Sequence, residues 1–127
     1  MVDPQRDIDR VLAIAADLDV RITHVAETHI HNDYVTGGVE LSATTGATYL
    51  VDARDPVDYA RTPVSEGDEI AVGAMRLRPI ATPGHTHHHL SYSLADEDGR
   101  VVAVFTGGSM LYGATDRTDL ISTTPTG

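Results

Sequence analysis

Two histidine-bearing segments about fifty residues apart constrain this chain more than any other feature: ETHIHNDYVTGG at 27–38 and TPGHTHHHLSY at 82–92. Each follows a run rich in β-branched and apolar residues that reads as a strand, RITHVAET at 21–28 and MRLRPIAT at 75–82. A third strand, VVAVFT at 101–106, ends in GGS. Polar residues carried on loops at the ends of strands can be aimed at one volume by a rigid scaffold. In extended chain, residues i and i+2 face the same side, so His29 and His31 can face a common ion, with Asp33 two residues further on. No cysteine is present, which excludes disulfides, zinc–thiolate sites and cysteine nucleophiles and leaves His, Asp and Glu as the metal donors. Two histidines with a carboxylate suit non-haem Fe(II), whereas three histidines with water suit hydrolytic zinc.

The rest of the chain supplies a scaffold of mixed α and β type. Asp3-Pro4 followed by QRDIDRVLAIAADLD predicts a capped helix with Pro4 at its first position and one apolar stripe through Ile8, Val11, Leu12, Ala15 and Leu18. GGVELSATTG at 37–46 predicts a short helix closed by Gly46, followed by a buried strand at 48–52. Pro56, Pro63 and Gly67 punctuate what reads as an exposed connection. Two hairpins follow, EIAVG with 75–82 and HLSYSLA (89–95) with 101–106, and the remainder reads as loop with a frayed end. His24 reads as a core or edge histidine within its strand, and His87, His88 and His89 as surface residues, His89 opening a strand. Thr82, Pro83 and Gly84 shape the turn that presents His85. Gly37 and Gly38 either ease a tight loop or offer helix amides to an anion.

Charge and length exclude other roles. The net charge is −10, with nine arginines and no lysine, so a basic surface for nucleic acid or anionic lipid is missing. No apolar run reaches the roughly 18 residues of a membrane span, so the chain reads as soluble and cytoplasmic. At 127 residues there is room for one domain.

VDPQRDID, THIHNDYVTGG, TPGHTHHHLSY and VFTGGSMLYGATDRTDL together resemble the metallo-β-lactamase superfamily, nearest its persulfide dioxygenase-like branch, which is related to glyoxalase II and often fused to rhodanese domains. The resemblance implies an α+β fold of the αβ/βα sandwich type, here its first part only, as a single partial domain over 1–127. It implies metal ligation by His29, His31, Asp33 and His85. Asp33 would also orient a ligand histidine, and Tyr34 would either donate a hydrogen bond to bound oxygen or substrate or simply pack beside the site. The implied activity is oxidation of a glutathione-type persulfide to sulfite at mononuclear Fe(II). The alternatives are a glyoxalase II-like thioester hydrolase with zinc, or a non-catalytic remnant. A functional link to a rhodanese and self-association covering exposed sheet are further expectations.

Three departures from the family pattern bear on the chemistry. Tyr34 stands where the motif HxHxDH has its last histidine. Gly108 stands where FTGD has its aspartate. Asp116 replaces the glycine of GRxD, altering that turn, while Arg117 and Asp119 are retained.

Overall fold

The computed structural model describes residues 1–116, in two compact units, Met1–Val64 and a second that begins at Ser65. The first unit is built on a parallel sheet of three strands in the order β1 (His24–Ala26), β2 (Thr48–Asp52), β3 (Thr62–Val64). Parallel neighbours need a crossover, and helix α2 (Gly38–Thr45) supplies it between β1 and β2. Gly46 ends α2 at φ 72, a left-handed cap that glycine adopts without strain. Ile8, Val25, Leu41, Tyr49 and Val51 form the buried core, with Val11, Leu12, Ile22 and Tyr59 packed against it. Helix α1 (Ile8–Asp17) contributes Ile8, Val11 and Leu12 to that cluster.

Three sequence expectations change here. The first helix begins at Ile8, not at Asp3-Pro4. Residues 1–3 instead run beside β1, with a parallel bridge from Val2 to Ala26 and hydrogen bonds from Asp3 N to Ala26 O and Ala26 N to Met1 O. Asp3 sits at φ 46, and its carboxylate is taken by Thr28 rather than by helix amides. The strand expected over 21–28 is regular only from His24 to Ala26. The stretch read as an exposed connection contains β3, which pairs with β2 through Pro63 opposite Val51. An edge strand tolerates proline because its outer N–H needs no partner.

The second unit carries an antiparallel sheet in the order β4 (Ile70–Val72), β5 (Met75–Ala81), β6 (Leu90–Ala95), β7 (Val101–Phe105). Both expected hairpins are present. Gly73, at φ 60, opens the two-residue turn between Val72 and Met75. Pro79 is tolerated in β5 because pairing with β4 stops at Leu77. β6 is the buried strand, with Leu90 and Tyr92 almost wholly covered. β7 is an edge strand and leaves Val101, Val102 and Val104 exposed. Beyond it, a single 3-10 turn (Gly107–Ser109) leads into a small hairpin of β8 (Met110–Leu111) and β9 (Ala114–Thr115), where the sequence suggests loop alone. Arg117, Asp119 and the end expected to fray lie outside the described residues.

Candidate metal centre

The motif loop leaves the sheet at the end of β1, where Glu27 N still donates to Leu50 O at 3.0 Å. Thr28 is buried and donates twice to Asp3, from its amide to Oδ1 at 2.7 Å and from Oγ1 to Oδ2 at 2.8 Å. Thr28 Oγ1 also lies 2.8 Å from His29 Nδ1. An ionised carboxylate can only accept, so the single hydroxyl proton of Thr28 goes to Asp3 and the hydroxyl must accept from Nδ1–H of His29. The relay Asp3–Thr28–His29 therefore selects one tautomer of a buried imidazole. Ligation by that ring would use Nε2, the pattern in which an oxygen partner on one nitrogen orients the other for metal.

The His31 ring is in tilted contact with two others, its centroid 4.0 Å from that of His29 and 4.3 Å from that of Tyr34. Its Nε2 lies 3.4 Å from Asp3 Oδ1 and 3.8 Å from Glu27 Oε2, and its Nδ1 lies 4.0 Å from Asp33 Oδ1. The Asp33 carboxylate is largely exposed. Glu27 is buried, and its Oε1 accepts from Thr36 at 2.5 Å and Tyr49 at 2.9 Å. Burial pushes the Glu27 carboxyl up to about 7 against the two hydrogen bonds that lower it. The Tyr34 phenol is pushed up to about 12, first by burial and then by the charges of Asp3, Glu27 and Asp33. It stays neutral at physiological pH and is a poor replacement for an imidazole ligand.

The loop thus holds His29, His31, Asp33 and Tyr34 together and adds two carboxylates that sequence reasoning missed. Asp3 read as a helix cap. Glu27 read as one more strand residue, although a charged side chain at the buried end of an apolar strand is itself a signal. Gly37 and Gly38 serve packing: a Cβ on Gly38 would lie 2.4 Å from Glu27 Oε1, and one on Gly37 2.2 Å from Gln5 O.

In the second unit, Gly84 at φ 146 makes the turn after Thr82 that presents His85. His85 Nδ1 is in contact with the Asp116 carboxylate, and the β8–β9 hairpin brings Asp116 back beside Ser109. The His85 ring lies directly on Gly108, where an added Cβ would meet Cδ2 at 2.3 Å and Nε2 at 2.5 Å. The imidazole occupies the space that a side chain at residue 108 needs. His89 corrects an expectation. It is wholly buried, with Nδ1 2.8 Å from Thr82 Oγ1, because it must enter the covered strand β6.

No family model matches the chain. Hydroxyacylglutathione hydrolase of Rhodospirillum rubrum is 37% identical over 113 residues, which is 87% of this chain and 42% of that protein. A hydroxyacylglutathione hydrolase-like protein of Homo sapiens is 33% identical over 89 residues, 70% of this chain and 31% of its own length. Among solved structures, ETHE1 from Myxococcus xanthus superposes with a TM-score of 0.80 at 38% identity, over 93% of this chain and 50% of that one. The chain belongs to the metallo-β-lactamase superfamily. A metallo-β-lactamase from Staphylococcus aureus agrees, with a TM-score of 0.79 at 30% identity over 87% of this chain and 36% of its own. The mixed α and β architecture is that of the metallo-β-lactamase fold, in the branch of glyoxalase II and ETHE1. The chain spans less than half the length of the curated relatives it matches. Metallo-β-lactamase superfamily members bind metal ions, typically zinc or iron, and His29 with its relayed tautomer and His85 with Asp116 on Nδ1 are donors of the type such ions take.

Proposed function

We propose that this chain is a persulfide dioxygenase-like enzyme that oxidises a glutathione-type persulfide to sulfite with one mononuclear iron. The observation that carries this reading is Tyr34. A neutral phenol packed on His31 stands where dinuclear hydrolases of the family place an imidazole for their second metal. His29 and His85 are proposed as the metal-holding residues from their motif positions, with His31 or Asp33 completing or flanking the set. Iron, when bound, would supply the redox partner for O₂. One O₂ and one water account for the three oxygens of sulfite, and the thiol is released.

The chain's own residues have separate tasks in this reading. Thr28 and Asp3 hold the Nδ1 proton of His29, and Asp116 orients His85 through Nδ1. Asp116 thereby returns a carboxylate to His85 in a protein that has lost one at Gly108. Tyr34 keeps its proton and is a hydrogen-bond donor to a substrate sulfur or oxygen. Self-association through the exposed residues of edge strand β7, and a partnership with a rhodanese, belong to the same proposal.

A second reading, a thioester hydrolase using zinc, is favoured by the relatives named hydroxyacylglutathione hydrolase. Purified tag-free protein beside His29→Ala separates the two. Iron lost in the variant, with oxygen uptake and sulfite formed from glutathione persulfide, supports the dioxygenase. Zinc lost in the variant, with thioester cleavage and no oxygen uptake, replaces it by the hydrolase. Metal unchanged by the substitution, or absent from both proteins, overturns both.

A further inference from the structure

The side-chain cluster at His31 Nε2 contains donors that the family motif does not include. His31 Nε2, Asp3 Oδ1 and Glu27 Oε2 converge there from three separate points of the chain, the N-terminal segment, the end of β1 and the motif loop. One ligand atom from each lies within 4.8 Å of the others. The side chains of His31, Asp3 and Glu27 are 9%, 20% and 2% exposed. Although flanked by two carboxylates at 3.4 and 3.8 Å, His31 Nε2 is buried and has no hydrogen-bond partner. Donors about 2.0–2.2 Å from a metal stand roughly 3.0–3.6 Å from one another, so the 3.4 Å pair is already at that spacing and the 3.8 Å pair must close by a few tenths of an ångström on binding.

We infer that Asp3, Glu27 and His31 hold a divalent first-row transition-metal ion of their own, apart from the metal assigned to His29 and His85. The donor set, two carboxylates and one imidazole, suits Mn(II), Fe(II) or Zn(II). Asp3 can serve while keeping both bonds from Thr28, because a carboxylate has about four lone-pair directions. Glu27 is similarly placed, with Oε1 on Thr36 and Tyr49 and Oε2 facing His31. A cation there also offsets the concentration of negative charge in a covered pocket, which is costly without a partner. His31 enters through Nε2, so its Nδ1, 4.0 Å from Asp33, remains on the opposite side of the ring. The inferred site shares only His31 with the ligand set proposed above, in which His31 completes or flanks the metal; Asp3 and Glu27 are not in that set.

The test is a Mn(II) titration of the chelator-stripped full chain, following the free-ion signal by electron paramagnetic resonance. Wild type, His85→Ala, Asp3→Asn and Glu27→Gln are compared, with circular dichroism to check folding. One Mn(II) site should survive in His85→Ala and weaken by at least about 100-fold in Asp3→Asn and in Glu27→Gln, at or beyond the limit of what outer hydrogen-bond partners contribute. Equal Mn(II) binding by all four proteins, or no site surviving in His85→Ala, overturns the inference and leaves the carboxylates as partners that merely position His31. Should both carboxylate variants fail to fold, crystals of the wild-type chain soaked in Mn(II) decide. An anomalous-scattering peak bonded to Asp3, Glu27 and His31 supports the site, and its absence there refutes it.

Discussion

Returning residue 108 to the aspartate of the family motif should weaken metal binding for as long as residue 116 also remains aspartate. The reason is space. A Cβ on Gly108 would lie 2.3 Å from Cδ2, 2.5 Å from Nε2 and 2.8 Å from Cγ of His85, about 1 Å short of ordinary 3.4 Å contact. Either the ring moves or the backbone does. The His85 side chain is 32% exposed, so the ring can swing outward, which keeps the stability cost near the low end of the roughly 1–3 kcal/mol of overpacking. The swing separates His85 from Asp116 and puts a second carboxylate nearby. Loss of an orienting partner of this kind weakens metal binding by about 10–100-fold. Gly108→Asp combined with Asp116→Gly, which restores both family positions, should recover binding. The cycle should therefore show a coupling of about 0.5–3 kcal/mol between residues 108 and 116. Urea denaturation gives the stability term, and plasma mass spectrometry of dialysed protein gives iron and zinc per chain. A single Gly108→Asp variant that binds metal as wild type does, or a double variant no better than the single, would refute the packing of His85 on Gly108.

Other substitutions read the motif pocket. In chelator-treated protein, Glu27 binds its proton more tightly folded (about 7) than unfolded (4.5), so its contribution to stability is full below pH 4.5 and declines as pH rises to about 7. Denaturant midpoints should show that slope, worth up to about 3 kcal/mol, and Glu27→Gln should flatten it. Gly38→Ala should destabilise by about 1–3 kcal/mol because its Cβ would press on Glu27 Oε1 at 2.4 Å and the Tyr49 ring at 2.5 Å, outweighing a helix-propensity gain of about 1 kcal/mol. Gly46→Ala meets open space and should cost only the roughly 1–2 kcal/mol of its left-handed backbone, as urea midpoints will report. Thr28→Val should cost about 1–3 kcal/mol and release the His29 tautomer, visible as averaged ¹⁵N shifts of that ring; an unchanged spectrum would remove the relay from Asp3.

What could be read in the sequence was local. The helix expected over 37–46 and the strand over 48–52 are present as Gly38–Thr45 and Thr48–Asp52, since apolar spacing and a glycine cap act within a few residues. Both hairpins follow from alternation and turn residues for the same reason. The start of α1 was not legible, because an aspartate before a proline is a cap only if its carboxylate is available. Asp3 spends its carboxylate on Thr28, twenty-five residues away. β3 was hidden by Pro63, whose placement is permitted only by the edge position it occupies.

The same distinction governs the candidate site. The motif residues announced themselves because imidazoles and carboxylates at alternating positions are uncommon and chemically specific. Their supporting groups did not, since Asp3, Glu27 and Asp116 acquire a role only through contacts across the fold. Read singly, Gly108 is a lost ligand and Asp116 an altered turn. In the structure, the glycine gives His85 its place and the aspartate gives the ring a carboxylate, so the two departures answer one another at a single imidazole. A departure from a family pattern is therefore not a measure of lost chemistry until its neighbours have been located. Here His85 lies on Gly108 and touches Asp116, which is why the double substitution at 108 and 116 tests this chain more sharply than either single one.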